Sequence, residues 1–228
     1  MSAPFSIIIP TLNAATQLPA TLNALLPGVE AGLVRELIVS DGGSTDETLD
    51  IADDAGAEII TGPKGRGGQL RRGAEAARAE WLLFVHADTH LAPDWVGAAM
   101  THRDAHPNLA AAFRLQFRAK GLAPKLVAGW ANLRSSAINL PYGDQGLLIS
   151  RALYDYCGGY ADQPLMEDVA IAKALRGRIR LLDTHAATGA ERYAQNGWLR
   201  QGASNLGTLL RYSFGASPEA LAARYHKR

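Results

Sequence analysis

Five groups of polar residues in this 228-residue chain have types and spacings that suit chemistry: Thr11 with Asn13, Asp41, Lys64 with Arg66, His86 with Asp88, and Glu167 with Asp168. Asp41 and Asn13 offer acceptors for a base and a ribose. Lys64 and Arg66 offer cations for a diphosphate, and Asp88 offers a carboxylate for a hard divalent cation. As a set they suit a nucleoside diphosphate held with Mg2+ or Mn2+. His86 and Asp88 are two residues apart, so in extended chain both point to one side. Each group also has an ordinary reading. Asp88 can cap the turn before Leu91-Ala92-Pro93, and Asp41 can serve a turn. Lys64 and Arg66 can be solvated. Glu167-Asp168 can simply favour a helix N-terminus, worth ~0.3–1 kcal/mol.

The choice depends on whether the chain brings these groups together. Trp81 to Val85 is a continuous apolar run that ends in His86-Ala87-Asp88. Such a run reads as a strand buried on both faces, as in a parallel sheet covered by helices, where ligands sit at the carboxyl ends. Phe5 to Pro10 is a first strand that delivers Thr11-Leu12-Asn13. Asn13 is expected to cap a helix over Ala14 to Leu26, ended by Pro27-Gly28. Val34 to Ser40 is a second strand, delivering Asp41-Gly42-Gly43. Ser44 and Glu47 have the spacing of a capping box, predicting a helix from there to about Ala55. Ala57 to Ile60 is a third strand. Gly62 to Gly68 reads as a glycine-rich loop, followed by a helix over Gln69 to Ala79.

The β-α-β-α-β-α-β order within 89 residues predicts a parallel sheet with right-handed crossovers, the α/β nucleotide-binding class. Beyond it the chain predicts a helix over Pro93 to His106, a strand over Leu109 to Phe117 that extends this sheet or starts a small one, and mixed, partly helical, mobile structure from Arg118 to Pro141. A strand over Leu147 to Ser150, a helix over Glu167 to Leu175, a last strand over Arg178 to Asp183 and a helical C-terminal segment complete the reading. No stretch has a linker's composition. One domain over 1–228 is expected, with a nucleotide-binding half (1–89), an acceptor and catalytic half (90–196) and a C-terminal helical segment (197–228).

Composition narrows the classes. Hydrophobic residues make up 47% and charged residues 20%, ordinary for a globular domain. A net charge of +1 gives no electrostatic argument for nucleic acid. Cys157, the one cysteine, excludes an internal disulfide and fits a reducing, cytoplasmic location. No apolar run reaches the ~20 residues of a membrane span, and no leader is expected at the N-terminus. Gly65-x-Gly67-x-x-Leu70 is not a dinucleotide fingerprint, and no Gly-Lys-Ser/Thr closes a P-loop.

Ser6 to Asn13 (SIIIPTLN), Asp41 to Asp46 (DGGSTD), the strand ending His86-Ala87-Asp88, and Glu167-Asp168 occur in the order of family 2 glycosyltransferases, the inverting GT-A enzymes, which the chain resembles over about residues 6–225. Lys64 to Leu70 (KGRGGQL), Leu83 to Thr89 (LFVHADT), Tyr142 to Gly146 (YGDQG) and Leu165 to Val169 (LMEDV) resemble a small bacterial branch of that family. The resemblance implies a GT-A fold: a Rossmann-like, mostly parallel sheet flanked by helices, with an acceptor-side extension. It implies a metal-dependent hexosyltransferase-like enzyme using a nucleotide-sugar, UDP-linked donor. Pro10, Thr11, Leu12, Asn13, Asp41, Gly42, Lys64, Arg66, Gln69, His86 and Ala87 would line the donor. Asp88 would hold Mn2+ or Mg2+, and Asp168, with Glu167 beside it, would be the catalytic base. His86 stands where the family has the first aspartate of Asp-x-Asp, which leaves its own contact open. Arg71-Arg72 departs from the branch and is given no role.

The region Arg118 to Pro141 corresponds to an acceptor-binding part of the family. Trp130 would stack on a sugar or, the favoured reading, sit in the core. Arg134, with Asp144 and Gln145, would meet the acceptor, whether a glycan, a lipid-linked or a small molecule. His185 falls where some GT-A enzymes place a histidine on the metal, but here it is expected to be a surface or loop histidine. Trp198, Leu199, Leu206, Leu209, Leu210 and Phe214 with Arg200, Arg211, Arg224, Lys227 and Arg228 form a basic amphipathic segment. It either packs on the domain or lies on the inner face of a membrane. The alternatives to glycosyl transfer are a nucleotidyltransferase that makes a nucleotide sugar and a non-catalytic nucleotide- or glycan-binding protein.

Overall fold

The structure, a computed structural model, describes residues 3–175 and 177–225. The basic tail residues Lys227 and Arg228 lie outside the described residues. In chain order the first half comprises β1 (Phe5–Thr11), α1 (Leu18–Glu30), β2 (Val34–Asp41), α2 (Thr48–Asp54), β3 (Glu58–Thr61), α3 (Arg66–Ala76), β4 (Trp81–Phe84), β5 (His90–Leu91) and α4 (Trp95–Ala105). The second comprises β6 (Ala110–Phe117), α5 (Leu122–Ile138), a 3-10 turn (Gly143–Gln145), β7 (Leu147–Ser150), α6 (Arg151–Tyr156), α7 (Glu167–Ala174), β8 (Ile179–Thr188), α8 (Glu191–Asn196), α9 (Trp198–Ser213) and α10 (Pro218–Tyr225).

One eight-stranded sheet runs in the order β3-β2-β1-β4-β7-β6-β8-β5. The β3-β2-β1-β4 portion is parallel, as the alternation predicts. β7 lies antiparallel to both β4 and β6, and β6 is parallel to β8. The strand over Ala110 to Phe117 therefore extends the same sheet. Alternating side chains sort onto two faces. Ile8, Ile38, Leu82 and Phe84 pack with Leu70 of α3, Leu153 of α6 and Val169 of α7. Ile7, Ile9, Val39 and Leu83 pack with Leu18 and Leu25 of α1 and Trp95 of α4. Trp81 to Val85 is buried on both faces, as its composition requires. Each such side chain contributes about 1.5–3 kcal/mol of transfer free energy.

Several boundaries differ from the local signals. Asn13 does not cap α1, which begins at Leu18 with Pro19 in its first turn. Nor does Pro27-Gly28 end α1, which continues to Glu30. Gly28 is instead a packing residue: a Cβ there would lie 2.4 Å from the Trp95 ring. The Ser44–Glu47 capping box does not form, because Ser44 is drawn to Asp41, and α2 starts only at Thr48. Gly67 and Gly68 belong to the first turn of α3 and not to a loop. A Cβ on Gly67 would come within 2.2 Å of the Ala161 carbonyl oxygen, so this glycine permits close approach. Arg118 to Pro141 is mostly one 17-residue helix, α5, and Trp130 on it is 57% exposed, not core. β8 continues to Thr188 because β6 pairs with it as far as Phe117. His185 is an exposed residue of that strand, a surface histidine as expected.

Candidate active site

Parallel strands β1, β2 and β4 end at one edge of the sheet. Because β7 runs the other way, the turn that precedes it lies at the same edge. This topology brings Thr11, Asp41, His86 and Asp88 to the edge that also holds Tyr142 to Gln145.

The loop side of this edge is saturated with internal hydrogen bonds. Asp41 is fully buried. Its Oδ1 accepts from Thr11 Oγ1 (2.8 Å) and Ser44 Oγ (2.5 Å). Its Oδ2 accepts from the Gly43 and Ser44 backbone N–H groups (2.7 and 2.8 Å). Burial alone would raise the Asp41 pKa, but the bonds from Ser44, Thr11 and Gly43 outweigh it and hold it below the usual carboxylate value. Asp41 thus shapes the loop, and a direct bond to a base needs one of these four exchanged. Asn13, with φ +50°, is the other side of the latch. Its N–H donates to Ser44 Oγ (2.8 Å), and its Oδ1 accepts from Thr45 N–H (2.9 Å). Gln69 is buried and spans two strand ends, its Nε2 donating to the carbonyls of Thr11 (2.6 Å) and Ser40 (3.0 Å). It is a strut in this arrangement. The Gly42 N–H donates to the Thr11 carbonyl (2.9 Å). Pro10 is half-buried and Leu12 exposed. The Ala87 carbonyl accepts from Thr21 Oγ1 (2.7 Å).

The acidic side is the reverse. Glu167 is buried in the first turn of α7, and Met166, in a left-handed conformation (φ +65°), turns the chain into that helix. Burial first, then the charge of Asp168, pushes the Glu167 carboxyl up to about 7, against the pull of Arg66. Arg66 Nη1 lies 3.4 Å from Glu167 Oε1. Arg66 thus faces the acidic pair from α3, and Lys64, in the loop before that helix, is exposed. Asp168 Oδ2 accepts from the Gly143 N–H (2.9 Å), and Oδ1 from the Val169 N–H (2.7 Å). Asp144 is pushed up to about 6 by burial, then by the charge of Asp168, and its buried Oδ1 has no hydrogen-bond partner. The Arg134 guanidinium lies 3.5 Å over the Tyr142 ring, donates through Nε to the Leu140 carbonyl (3.0 Å), and leaves a buried Nη2 without a partner.

Gly143 joins the two sides. Its N–H binds Asp168, and a Cβ on it would sit 2.5 Å from His86 Nε2. His86 is half-buried, and its burial, with the Arg66 charge, holds its pKa well below the usual histidine value. Gln145, predicted to meet an acceptor, spends its amide internally: Nε2 donates to the Phe113 carbonyl (3.0 Å), and Oε1 accepts from Ser135 Oγ (2.7 Å). It locks the turn that carries Asp144. Trp130 faces outward from α5. Two contributors carried no sequence signal strong enough to select them. Ser44 reads as a helix cap, and Arg118, whose Nη1 donates to the Asp88 carbonyl (2.7 Å), reads as one more surface cation. Gly143 was visible only as part of the Tyr-Gly-Asp-Gln-Gly stretch.

Among the described residues, no three His, Cys, Asp or Glu side chains come together as a complete metal cage. The donor set still fits Mg2+ or Mn2+ bound with a diphosphate, since such ions need only one or two carboxylates and take their other ligands from phosphate and water. Asp88 and the unpartnered oxygen of Asp144 are the candidates. A separate groove of about 1160 Å³ lies at the amino end of β4, lined by Trp81, Leu109, Leu153 and Arg178, and holds none of these acids.

The arrangement has counterparts. The solved structure of TarS from S. aureus superposes with a TM-score of 0.64 at 19% identity, covering 88% of this chain and 39% of that one. Glucosyl-3-phosphoglycerate synthase from Mycobacterium tuberculosis, in complex with Mn2+, uridine diphosphate and phosphoglyceric acid, has a TM-score of 0.59 at 23% identity, over 82% of this chain and 69% of that one. These likenesses establish the GT-A type of fold. Among curated sequences, a PGL/p-HBAD biosynthesis glycosyltransferase of Mycobacterium bovis (strain BCG / Pasteur 1173P2) is 44% identical over 99 residues, 40% of this chain and 38% of that protein. The alignment thus spans well under half of that relative. The model of one family matches residues 6–149, from β1 through β4 to β7, and by that match the chain belongs to glycosyl transferase family 2.

Proposed function

We propose that this chain transfers a sugar, with inversion, from a nucleotide-sugar donor carrying UDP to a hydroxyl acceptor, with Mn2+ or Mg2+ as the cation. The observation that carries the reading is Gly143, whose N–H holds Asp168 while its bare Cα lets His86 of the metal strand pack against it. Donor-side and base-side groups are thereby held at one cleft. The likeness to a structure binding Mn2+ and uridine diphosphate supports the choice of donor and ion.

In this reading Asp88, with Asp144, would hold the cation, which when bound supplies positive charge to the departing diphosphate. The loop of Thr11, Asn13, Asp41 and Gly42, braced by Gln69, receives the nucleoside. Lys64 is available to the diphosphate from the loop before α3. Asp168 takes the acceptor proton. Its two protein hydrogen bonds leave lone pairs on each oxygen, and the Gly143 N–H fixes which oxygen faces the cleft. Glu167, raised to about 7, is only partly ionised at neutral pH, and through Arg66 it ties α7 to α3. The unpartnered Nη2 of Arg134 is a donor for an anionic or hydroxyl group of the acceptor. A cytoplasmic protein acting from residues 1–228 as one domain is part of this reading. A lipid-linked acceptor would suit peripheral membrane contact through the C-terminal segment.

Incubation with labelled nucleotide sugars and Mn2+, with and without candidate acceptors, tests the proposal. Release or transfer of sugar with formation of UDP supports it. Exchange of pyrophosphate instead would identify a nucleotidyltransferase, and tight donor binding with no turnover would identify a binding protein.

A further inference from the structure

Two neighbouring helices carry apolar rows on their outer faces. On α5 the inward face is Pro124, Ala128, Ala131 and Ser135. Opposite it lie Leu122, Leu126, Trp130 and Leu133, 57–78% exposed. Spacings of four, four and three residues keep these side chains within an arc of about 80° on the helix. On α9 the inward face includes Gln201, Thr208 and Leu209. Leu199, Leu206, Leu210 and Phe214 face outward, with Leu199 and Phe214 86% and 88% exposed. The two helices pack together over a floor of Phe117, Tyr193 and Trp198. Single exposed leucines are ordinary, but two such rows on adjoining helices are not.

The charge on the two segments that carry the rows has one sign. Lys120 and Lys125 are exposed beside the first, and Arg200 and Arg211 beside the second. From Arg118 to Gly143, and from Arg192 to Pro218, there is no Asp or Glu, in a chain that has 22. Apolar rows flanked by cations complement an anionic interface, whose headgroups meet the cations while the rows enter the acyl boundary. A second copy of the chain complements them poorly, since an isologous contact would set basic surface against basic surface.

We infer that α5 and α9 together form a docking face for an anionic lipid bilayer. Among the described residues no helix is long and apolar enough to cross a membrane, so the contact lies in the interface plane. The face adjoins the site. Just before α5, Arg118 holds the Asp88 carbonyl, and near its end Ser135 and Arg134 hold Gln145 and the Leu140 carbonyl. A surface bound there lies beside the groups assigned to the acceptor. The inference deepens the proposed function, on which it rests for the acceptor alone, by making that acceptor lipid-anchored.

Sedimentation of the full chain with phosphatidylcholine vesicles, with or without phosphatidylglycerol, tests it. The expected result is at least about tenfold stronger binding to the anionic vesicles, weakened by salt, with a blue shift from the exposed Trp130. Leu126→Gln with Leu206→Gln, and separately Lys125→Glu with Arg200→Glu, should each weaken that binding about tenfold or more. Val29→Gln, at an exposed position on α1, should leave it unchanged. Equal binding to both vesicle types, wild-type binding by both double variants, or a wild-type dimer that the leucine variant dissolves would overturn the proposal. Vesicle binding needs neither donor nor acceptor, so its outcome is independent of whether sugar transfer is found.

Discussion

The Asp41 loop and the Asp144–Asp168 cluster are both acidic, both at the same sheet edge, and electrostatically opposite. Four hydrogen bonds converge on the Asp41 carboxylate, so its charge is stabilised without any ligand. Across the edge, burial and the charge of Asp168 raise both Asp144, one oxygen of which has no partner, and Glu167, whose contact with Arg66 is long. The difference is that between a part already complete and a part awaiting something cationic. Desolvated acids without partners are destabilising on their own, and their concentration around Asp168 points to function there. The loop around Asp41 holds shape, and the cluster holds potential.

The largest effect expected from breaking this contrast is on turnover. Asp168→Asn keeps a partner for the Gly143 N–H but cannot take a proton, so sugar transfer should fall ~10²–10⁴-fold while donor binding persists. Asp88→Asn should weaken cation-dependent donor binding as well. Calorimetry with UDP, with and without Mn2+, alongside turnover on both variants, separates the two. Normal turnover in Asp168→Asn would move the base elsewhere, and lost donor binding would move Asp168 to the donor side.

Next in size is stability at the complete side. Asp41→Ala removes the acceptor of four hydrogen bonds, the Thr11 hydroxyl among them buried, and should cost about 2–4 kcal/mol in urea unfolding. Because the folded pKa of Asp41 is depressed, its contribution is present above the unfolded value of ~3.9 and lost as pH falls through the folded one. The stability of Asp41→Asn should therefore decline less steeply than wild type on acidification. An unchanged acid slope would mean that the loop does not depend on the charge.

The cluster gives the opposite sign. Glu167, raised to about 7, binds its proton more tightly in the folded state than in the unfolded chain, so wild-type stability should fall as pH rises from about 4.3 through 7. Glu167→Gln should flatten that fall, a gain read as about 2–4 °C of Tm per kcal/mol at neutral pH. Equal pH profiles for the two proteins would remove Glu167 from the stressed set. The smallest effect belongs to an ion pair outside both regions. Arg71→Ala breaks an exposed pair with Glu75 one helical turn away and should cost only ~0.3–0.5 kcal/mol.

The sequence was most legible where a residue's environment is dictated by its neighbours in the chain. Trp81 to Val85 needs two covered faces whatever surrounds it, and that, with the repeated alternation, was enough to place Thr11, Asp41 and Asp88 at one edge. It was least legible where a short motif has two suitors. Ser44 is as good a helix cap as it is a ligand of Asp41, and only the long-range approach of β1 to β2 decides. Gly67 and Gly28 look like breakers, and the bodies that need their missing side chains, the Ala161 carbonyl and the Trp95 ring, are far away in sequence. Gln69 and Gln145 look like ligand-binding amides, and their internal partners lie on other elements, β1 and β2 for the first and β6 and α5 for the second. Trp130 was placed inward on residue type alone, and the phase of α5 turns it outward.

β7 has one more consequence. Among the described residues, the ladder that joins the four parallel strands to β6, β8 and β5 passes through its four residues alone, with four pairings to β4 and a single registered pairing to β6, Ala111 with Leu148. Such a seam is the natural boundary between cooperative unfolding units. Amide exchange at Leu147 to Ile149 would then report the two parts separating, while the interior of β1 and β4 exchanges only with global opening. The loop assigned to the nucleoside stands on one side of that seam, and Arg134, on the helix packed against β6, on the other. A ligand that touches both would act as a staple across it, slowing exchange in residues it never contacts.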